Sequence, residues 1–208
     1  MMYLFKILSN LFGYNVSIKI NSLRNYLLSI SLSSKLNMEK ELARFQYPIK
    51  IQGFKNIKIG KNFTSGKNFR IQAIDKYNGF TYSPHINIGD NVVINPNCQI
   101  VAIDNISIGN NVLIASNVFI SDHSHGDKFF KDIETPPALR KLDSKGSISI
   151  AENVWVGQNV SILSNVSIGR NAIIGANSVV TKDIPEYAIA AGIPAKVIKI
   201  LKINNVSE

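Results

Sequence analysis

The feature that most constrains this chain is a six-residue period. From Ile148 to Asp183 the sequence divides without a gap into ISIAEN, VWVGQN, VSILSN, VSIGRN, AIIGAN and SVVTKD. The pattern also runs through IQGFKN, IKIGKN and FTSGKN from Ile51 to Asn68, and through INIGDN, VVINPN, ISIGNN, VLIASN and VFISDH, with the eight-residue variant CQIVAIDN among them. A fixed period of this kind outranks local propensity, because each repeat is a unit that stacks on its neighbours. Places one and three are mostly Val or Ile, the alternation of a very short strand with stiff branched side chains on one side. Place four is usually small, as at Gly60, Gly89, Gly109, Ala115 and Gly157, and place six is Asn, from Asn56 and Asn62 to Asn177. Asn and Gly tolerate left-handed backbone angles that cost other residues about 1–2 kcal/mol. Each hexad therefore predicts a short strand and a sharp corner. Three hexads close a triangular coil of a parallel β-helix, and a stacked column of Val and Ile becomes its core.

The chain has 208 residues, 45% of them hydrophobic, and a formal net charge of +9. That excess of cations suits an anionic partner (nucleic acid, a membrane surface or a phosphorylated cofactor), with a merely basic soluble protein as the alternative. The single cysteine, Cys98, excludes an internal disulfide framework and falls at an inward place, where a small buried hydrophobe is expected. The segment MMYLFKILSNLFG is interrupted by Lys6 and too short to span a bilayer, so the chain reads as cytoplasmic. Residues 1–50 carry no hexads and read as a helical cap over the first coil. The alternative for residues 1–30 is an interfacial segment at the inner membrane face, given the mixture of apolar residues with Lys6, Lys19 and Arg24. The β-helix is expected over 51–183, interrupted by irregular loops at 72–85 and 124–147, with a closing helix or strand in 184–208.

The chain contains neither a phosphate-binding Gly-Lys-Ser/Thr loop nor a Gly-x-Ser-x-Gly elbow nor a paired-cysteine metal site. What stands out is VFISDHSHG, where the sixth place holds His123 instead of Asn and the repeat gives way to a loop. A corner position is expected to turn His123 outward, where an imidazole that titrates near neutral pH can serve as a general base.

With these hexads and the SDHSHG segment, the chain resembles the hexapeptide-repeat acyltransferases over about Ile51 to Lys199. The resemblance implies an all-β fold, a left-handed parallel β-helix, with an N-terminal helical segment and a protruding loop; the period alone does not set the handedness. It also implies an acetyl-CoA-dependent enzyme, typically a homotrimer with sites between subunits, that uses no metal and no nucleic acid. His123 matches the catalytic base, which would deprotonate an acceptor hydroxyl for attack on the thioester. His125, Asn95, Thr81, Tyr82 and His85 match acceptor-contacting places, with a corner-capping role as the alternative for Asn95. VWVGQN and IIGANSVVTKDIP resemble the CoA-binding coils and point to Gln158, Ala176, Thr181 and Lys182. AGIPAKVIK resembles the closing motif whose cations face the nucleotide phosphates, here Lys196 and Lys199 in place of the usual arginines. Trp155 at an outward place suggests a ligand or subunit contact, and outward Phe119, Ile173 and Val179 suggest assembly.

Within the family the resemblance is to the sugar O-acetyltransferases of surface-polysaccharide assembly and to the maltose and galactoside type. The expected acceptor is thus a carbohydrate, either a polysaccharide or lipid-linked unit or a small free sugar. Two rivals from other classes are a scaffold without chemistry and a carbonic anhydrase-like zinc enzyme. The latter needs three histidine ligands, and only His85, His123 and His125 exist, the last two expected to point apart.

Overall fold

The computed structural model describes residues 13–36, 38, 43–126 and 133–201. Residues 1–12 of the N-terminal segment, 127–132 of the second loop and 202–208 of the closing segment lie outside these described residues. The chain is a left-handed β-helix with three flat faces, each a parallel sheet. The first face runs through Arg44–Phe45, Thr64–Ser65, Val93–Ile94, Leu113–Ile114, Trp155–Val156 and Ile173–Ile174. The second comprises Ile49–Gln52, Phe69–Ala73, Gln99–Ala102, Phe119–Ser121, Ser161–Ile162 and Val179–Val180. The third comprises Ile57–Ile59, His85–Ile88, Asn105–Ile108, Ile148–Ile150 and Val166–Ile168. Coil pairing begins at Arg44, upstream of the first recognisable hexad, where Arg44–Phe45 aligns with Thr64–Ser65.

The Val and Ile of the hexads fill the prism, with Ile86, Val92, Ile106, Ile114, Ile148 and Val156 at most 1% exposed. Each buried aliphatic side chain contributes about 1.5–3 kcal/mol. Cys98 joins this core, its thiol directed at the Ala115 carbonyl and its pKa pushed up by burial.

Asparagine and glycine divide the work of the corners. The left-handed residue is the asparagine, with φ between 55° and 64° at Asn62, Asn68, Asn91, Asn97, Asn111, Asn117, Asn153, Asn159, Asn165, Asn171 and Asn177. The place-four glycines are absent from the left-handed region; they are small because the next coil presses on them. A Cβ on Gly109 would lie 2.7 Å from the Glu152 amide nitrogen, and one on Gly157 2.7 Å from the Ala176 nitrogen. Asn56 departs from its column: it ends the 3-10 turn Phe54–Asn56, and Gly53, at φ 79°, takes the left-handed angle in that coil.

Helix α1, Tyr14–Lys35, lies against the first coil. Leu32 and Leu36 enter the core, and the Phe45 amide donates to Ser29 Oγ at 2.9 Å. Among the described residues no helix is long and apolar enough to cross a membrane. At the other end the closing segment forms a hairpin, Ala188–Gly192 with Ala195–Ile200, which extends the first face.

Candidate active site

The three corners of the prism differ. Between third and first faces the asparagine side chains form a ladder, Asn62 to Asn91 to Asn111 to Asn153, each amide donating to the next at 3.0–3.1 Å. Between first and second faces a second ladder runs Asn68, Asn97, Asn117, Asn159, Asn177 at 2.8–3.0 Å. The corner between second and third faces has no such ladder, and both interruptions of the repeat leave the prism there. The first contains a small hairpin, Lys76–Tyr77 with Phe80–Thr81. The second begins as a strand, His123–His125, antiparallel to Leu142–Ser144. Neither is the irregular loop expected from sequence.

At this open corner the chain turns at Asp122, which is fully buried. Its two carboxylate oxygens accept the Ile103 amide at 3.0 Å and the Asp104 amide at 2.9 Å. Those residues belong to the eight-residue variant of the coil beneath, whose extra length supplies the amides. Asp122 Oδ1 also lies 3.0 Å from His123 Nδ1, with Ser121 Oγ at 3.4 Å from the same nitrogen. A carboxylate accepts only, so this contact assigns the proton to Nδ1 and leaves Nε2 as the basic nitrogen. The His123 side chain is only 9% exposed. It is therefore not an outward corner residue, as its place in the hexad suggests; it is the first residue of the protruding hairpin, and Asp122 turns the corner.

His123 opens on a cleft of about 270 Å³ lined also by Ser121, Ser124, Lys145, Leu163, Asn165 and Thr181. Thr181, expected on the donor side, thus shares a cavity with His123, and Lys182 follows it, exposed, at the same corner. Of the acceptor candidates, Tyr82 and His125 lie in the seam of the two hairpins at this corner and not in the lining of the cleft. The Leu142 amide donates to the Tyr82 hydroxyl at 2.9 Å, and burial pushes that phenol's pKa up. His125 meets Tyr77 edge-on with ring centres 5.5 Å apart, and the Tyr77 hydroxyl donates to the Ala138 carbonyl at 2.6 Å. Thr81 is exposed on the small hairpin, and His85 is exposed at the start of a third-face strand. Asn95 stands at the corner between first and second faces, where its side chain donates to the Ile114 carbonyl at 3.1 Å in the manner of a corner cap.

The remaining donor candidates sit elsewhere on this chain. Gln158 and Ala176 occupy the laddered corner between first and second faces, and Trp155, 50% exposed, lies outward on the first face. Lys196 and Lys199 are exposed on the terminal strand. One chain does not gather them at His123.

Sequence reasoning missed two residues. Asp122 occupies the fifth place of its hexad, ordinarily an exposed position, and the only signal was a carboxylate directly before the histidine. Lys145 reaches the cleft from the far arm of the second hairpin, outside any hexad. The expectation that His123 and His125 point apart also needs revision, because residues two apart on a strand share a face. What distinguishes them is their partners, Asp122 for one and Tyr77 for the other. Among the described residues no three His, Cys, Asp or Glu side chains are grouped to hold a metal.

Comparison with known proteins gives a consistent picture. Residues 147–182 match the family model of the bacterial transferase hexapeptide, six repeats. The chain is 39% identical over 158 residues to a protein of Escherichia coli K12 named for lipopolysaccharide biosynthesis O-acetyl transfer, WbbJ, covering 74% of this chain and 76% of that one. It is 42% identical over 125 residues to the galactoside O-acetyltransferase of the same organism, covering 58% of this chain and 56% of that one. Its fold matches AntD, an N-acyltransferase from Bacillus cereus solved with a dTDP-sugar and coenzyme A, with a TM-score of 0.62 at 20% identity over 79% of this chain and 82% of that one.

Proposed function

This chain belongs to the hexapeptide-repeat acyltransferases, and from that premise we propose that it is an acetyl-CoA-dependent O-acetyltransferase acting on a sugar hydroxyl of a bacterial surface polysaccharide. The observation that carries the reading is the Asp122–His123 pair, with Nδ1 held by a buried carboxylate beside a cleft. In this reading the acceptor hydroxyl gives its proton to His123 Nε2 while its oxygen attacks the thioester carbonyl. The tetrahedral intermediate collapses, the C–S bond breaks, and the imidazolium returns the proton to the departing thiolate. The enzyme ends as it began and forms no acyl-enzyme. Asp122 keeps the imidazole in the required tautomer and supports its positive charge, and general-base help of this kind accounts for about 10²–10⁴ in rate.

On the donor side Thr181 lines the cleft and exposed Lys182 follows it in the chain, and a hydroxyl and a cation suit the amides and phosphates of CoA. Gln158, Ala176, Trp155, Lys196 and Lys199 would contribute if a second copy set its first face and neighbouring corner beside the open corner of the first. The exposed apolar row Val93, Leu113, Trp155 on that face supports such packing. A closed homotrimer satisfies every copy in the same way. Trp155→Glu should then dissociate the assembly in sedimentation velocity and abolish turnover together; a wild-type chain that sediments as a stable monomer with full activity overturns the shared site.

The 39% identity to the lipopolysaccharide-associated relative supports a surface-polysaccharide acceptor. The galactoside O-acetyltransferase match supports a second reading, a small free sugar. The test is release of free CoA thiol from acetyl-CoA with a panel of mono-, oligo- and lipid-linked saccharides. The proposal requires acceptor-dependent thiol release that His123→Ala removes; release at the wild-type rate in that variant refutes His123 as base, and preference for a free monosaccharide moves the conclusion to the second reading.

A further inference from the structure

The net positive charge of this protein falls in its first 70 residues. The first 70 residues hold 12 of the 23 lysines and arginines but only 2 of the 14 carboxylates, a net of +10. The remaining 138 residues sum to −1, and among the described residues α1 and the opening coils up to Arg70 hold ten lysines and arginines and no carboxylate. Arg44, Lys50, Lys55, Lys58, Lys61 and Lys67 are all exposed around that end of the prism. Lys55 has a carboxylate partner, Asp75, at 3.2 Å.

The same end is apolar. Helix α1 buries one stripe, Ser29, Leu32 and Ser33, continued by its C-cap Leu36, against the first coil. On its opposite side Ile20, Leu23, Leu27 and Ile30 recur at spacings of three and four and are 42–62% exposed. Such spacing keeps four aliphatic side chains on one line of a helix. Lys19, Arg24 and Lys35 flank that line, and the helix has no acidic residue. Beside it a groove of about 590 Å³ has an apolar floor of Leu36, Phe54, Ile57 and Ile59 and is rimmed by Lys35, Lys55 and Lys58.

We infer that this end of the prism is a docking surface for an anionic lipid bilayer. An aliphatic line flanked by cations is what an interfacial helix presents, with the apolar side sunk to the headgroup boundary and the cations among the phosphates. Each lysine or arginine close to an anionic surface adds about 1 kcal/mol, and the encircling lysines are placed to do so together. Charge decides between this occupant and a second copy of the chain, because pairing two such ends would set one cation-rich rim against another. The aliphatic line decides against nucleic acid, for which it provides no matching surface.

The inference needs no turnover, so it stands or falls apart from the acetyl transfer. The full chain is sedimented with phosphatidylcholine vesicles with and without phosphatidylglycerol, at low and high salt. The expected result is strong partitioning only to the phosphatidylglycerol vesicles, weakened by salt. Leu23→Ser/Leu27→Ser should weaken it by about tenfold or more, and Lys58→Glu/Lys61→Glu by about as much, with thermal melting unchanged. Equal partitioning to both vesicle types overturns the inference, as does binding that neither double variant reduces. A loss of assembly mass in vesicle-free Leu23→Ser/Leu27→Ser protein overturns it in favour of self-association. Displacement from vesicles by duplex DNA, with the serine variant unaffected, overturns it in favour of a nucleic-acid surface.

Discussion

At the two laddered corners each coil after the first places an asparagine at the left-handed angle, until Tyr187, at φ 58°, takes over in the last turn; in the first coil residues 46–48 turn the chain instead. At the open corner no two coils are alike: Gly53 and a 3-10 turn, a hairpin, the Ile103–Asp104 pair, the Asp122 turn with its long hairpin, then Asn165, then Thr181–Asp183. A ladder satisfies each amide with the next and gives the stack its uniform rise, but it engages those side chains along the whole edge. The edge without a ladder carries instead the Asp122–His123 pair and the aromatic side chains of the two hairpins. On the proposed function, stability and chemistry fall to different corners of one triangle.

The sharpest way to break this division is to measure kcat and Tm for the same variants. His123→Ala should lower kcat by about 10²–10⁴ and leave Tm within about 1 °C, since no other coil depends on the imidazole. A large loss of Tm would make the histidine a structural member of the corner. Asp122→Asn should lower both. The substituted amide has one acceptor oxygen where the carboxylate has two, so a buried backbone amide or the histidine loses its partner, at about 1–3 kcal/mol. Its kcat loss should be smaller than that of His123→Ala, because the base remains while its tautomer is no longer enforced. An Asp122→Asn enzyme with full activity and a lowered Tm would reduce the carboxylate to a corner clamp.

The legible part of this molecule is its periodic part. The hexads disclosed the strands, the inward Val and Ile, the left-handed asparagines and the triangular coil, because those properties repeat and each column can be read against its neighbours. The histidine was legible for the same reason, as an exception in a column. Arg44–Phe45 opens the first coil without a hexad signature, and Ile49–Gln52 begins two residues ahead of the first hexad read from the sequence. The walls of the site were not legible. Tyr77 reaching Ala138, Tyr82 reaching Leu142 and Asp122 reaching Ile103 are contacts between residues 61, 60 and 19 apart, made outside the period or across its variant. Periodicity also could not tell two laddered corners from the open one until the chain was wound, because Asn165 sits in the open corner and looks in sequence like every other asparagine.

The laddered corner gives the converse experiment. Asn117→Ala places an alanine at φ 61° and cuts the ladder between Asn97 and Asn159. The expected cost is about 1–2 kcal/mol, a fall in Tm of roughly 2–8 °C, with kcat unchanged. Asn117→Gly restores the backbone freedom without the amide, so its smaller loss isolates the ladder bonds. A kcat loss in either variant would show that the edges are not independent.

The smallest effect should come from the seam between the two hairpins. Tyr82→Phe removes the oxygen that accepts the Leu142 amide, in a residue partly open to solvent. Water can replace that acceptor, so Tm should move by no more than the equivalent of about 0.5–1.5 kcal/mol. The Leu142 strand pairs with His123–His125, however, so a loosened seam reaches the acceptor side of the cleft before it reaches the core. The acceptor KM should therefore rise a few-fold while the acetyl-CoA KM stays put. A change in the acetyl-CoA KM instead would move the donor, not the acceptor, to the hairpin side of the open corner.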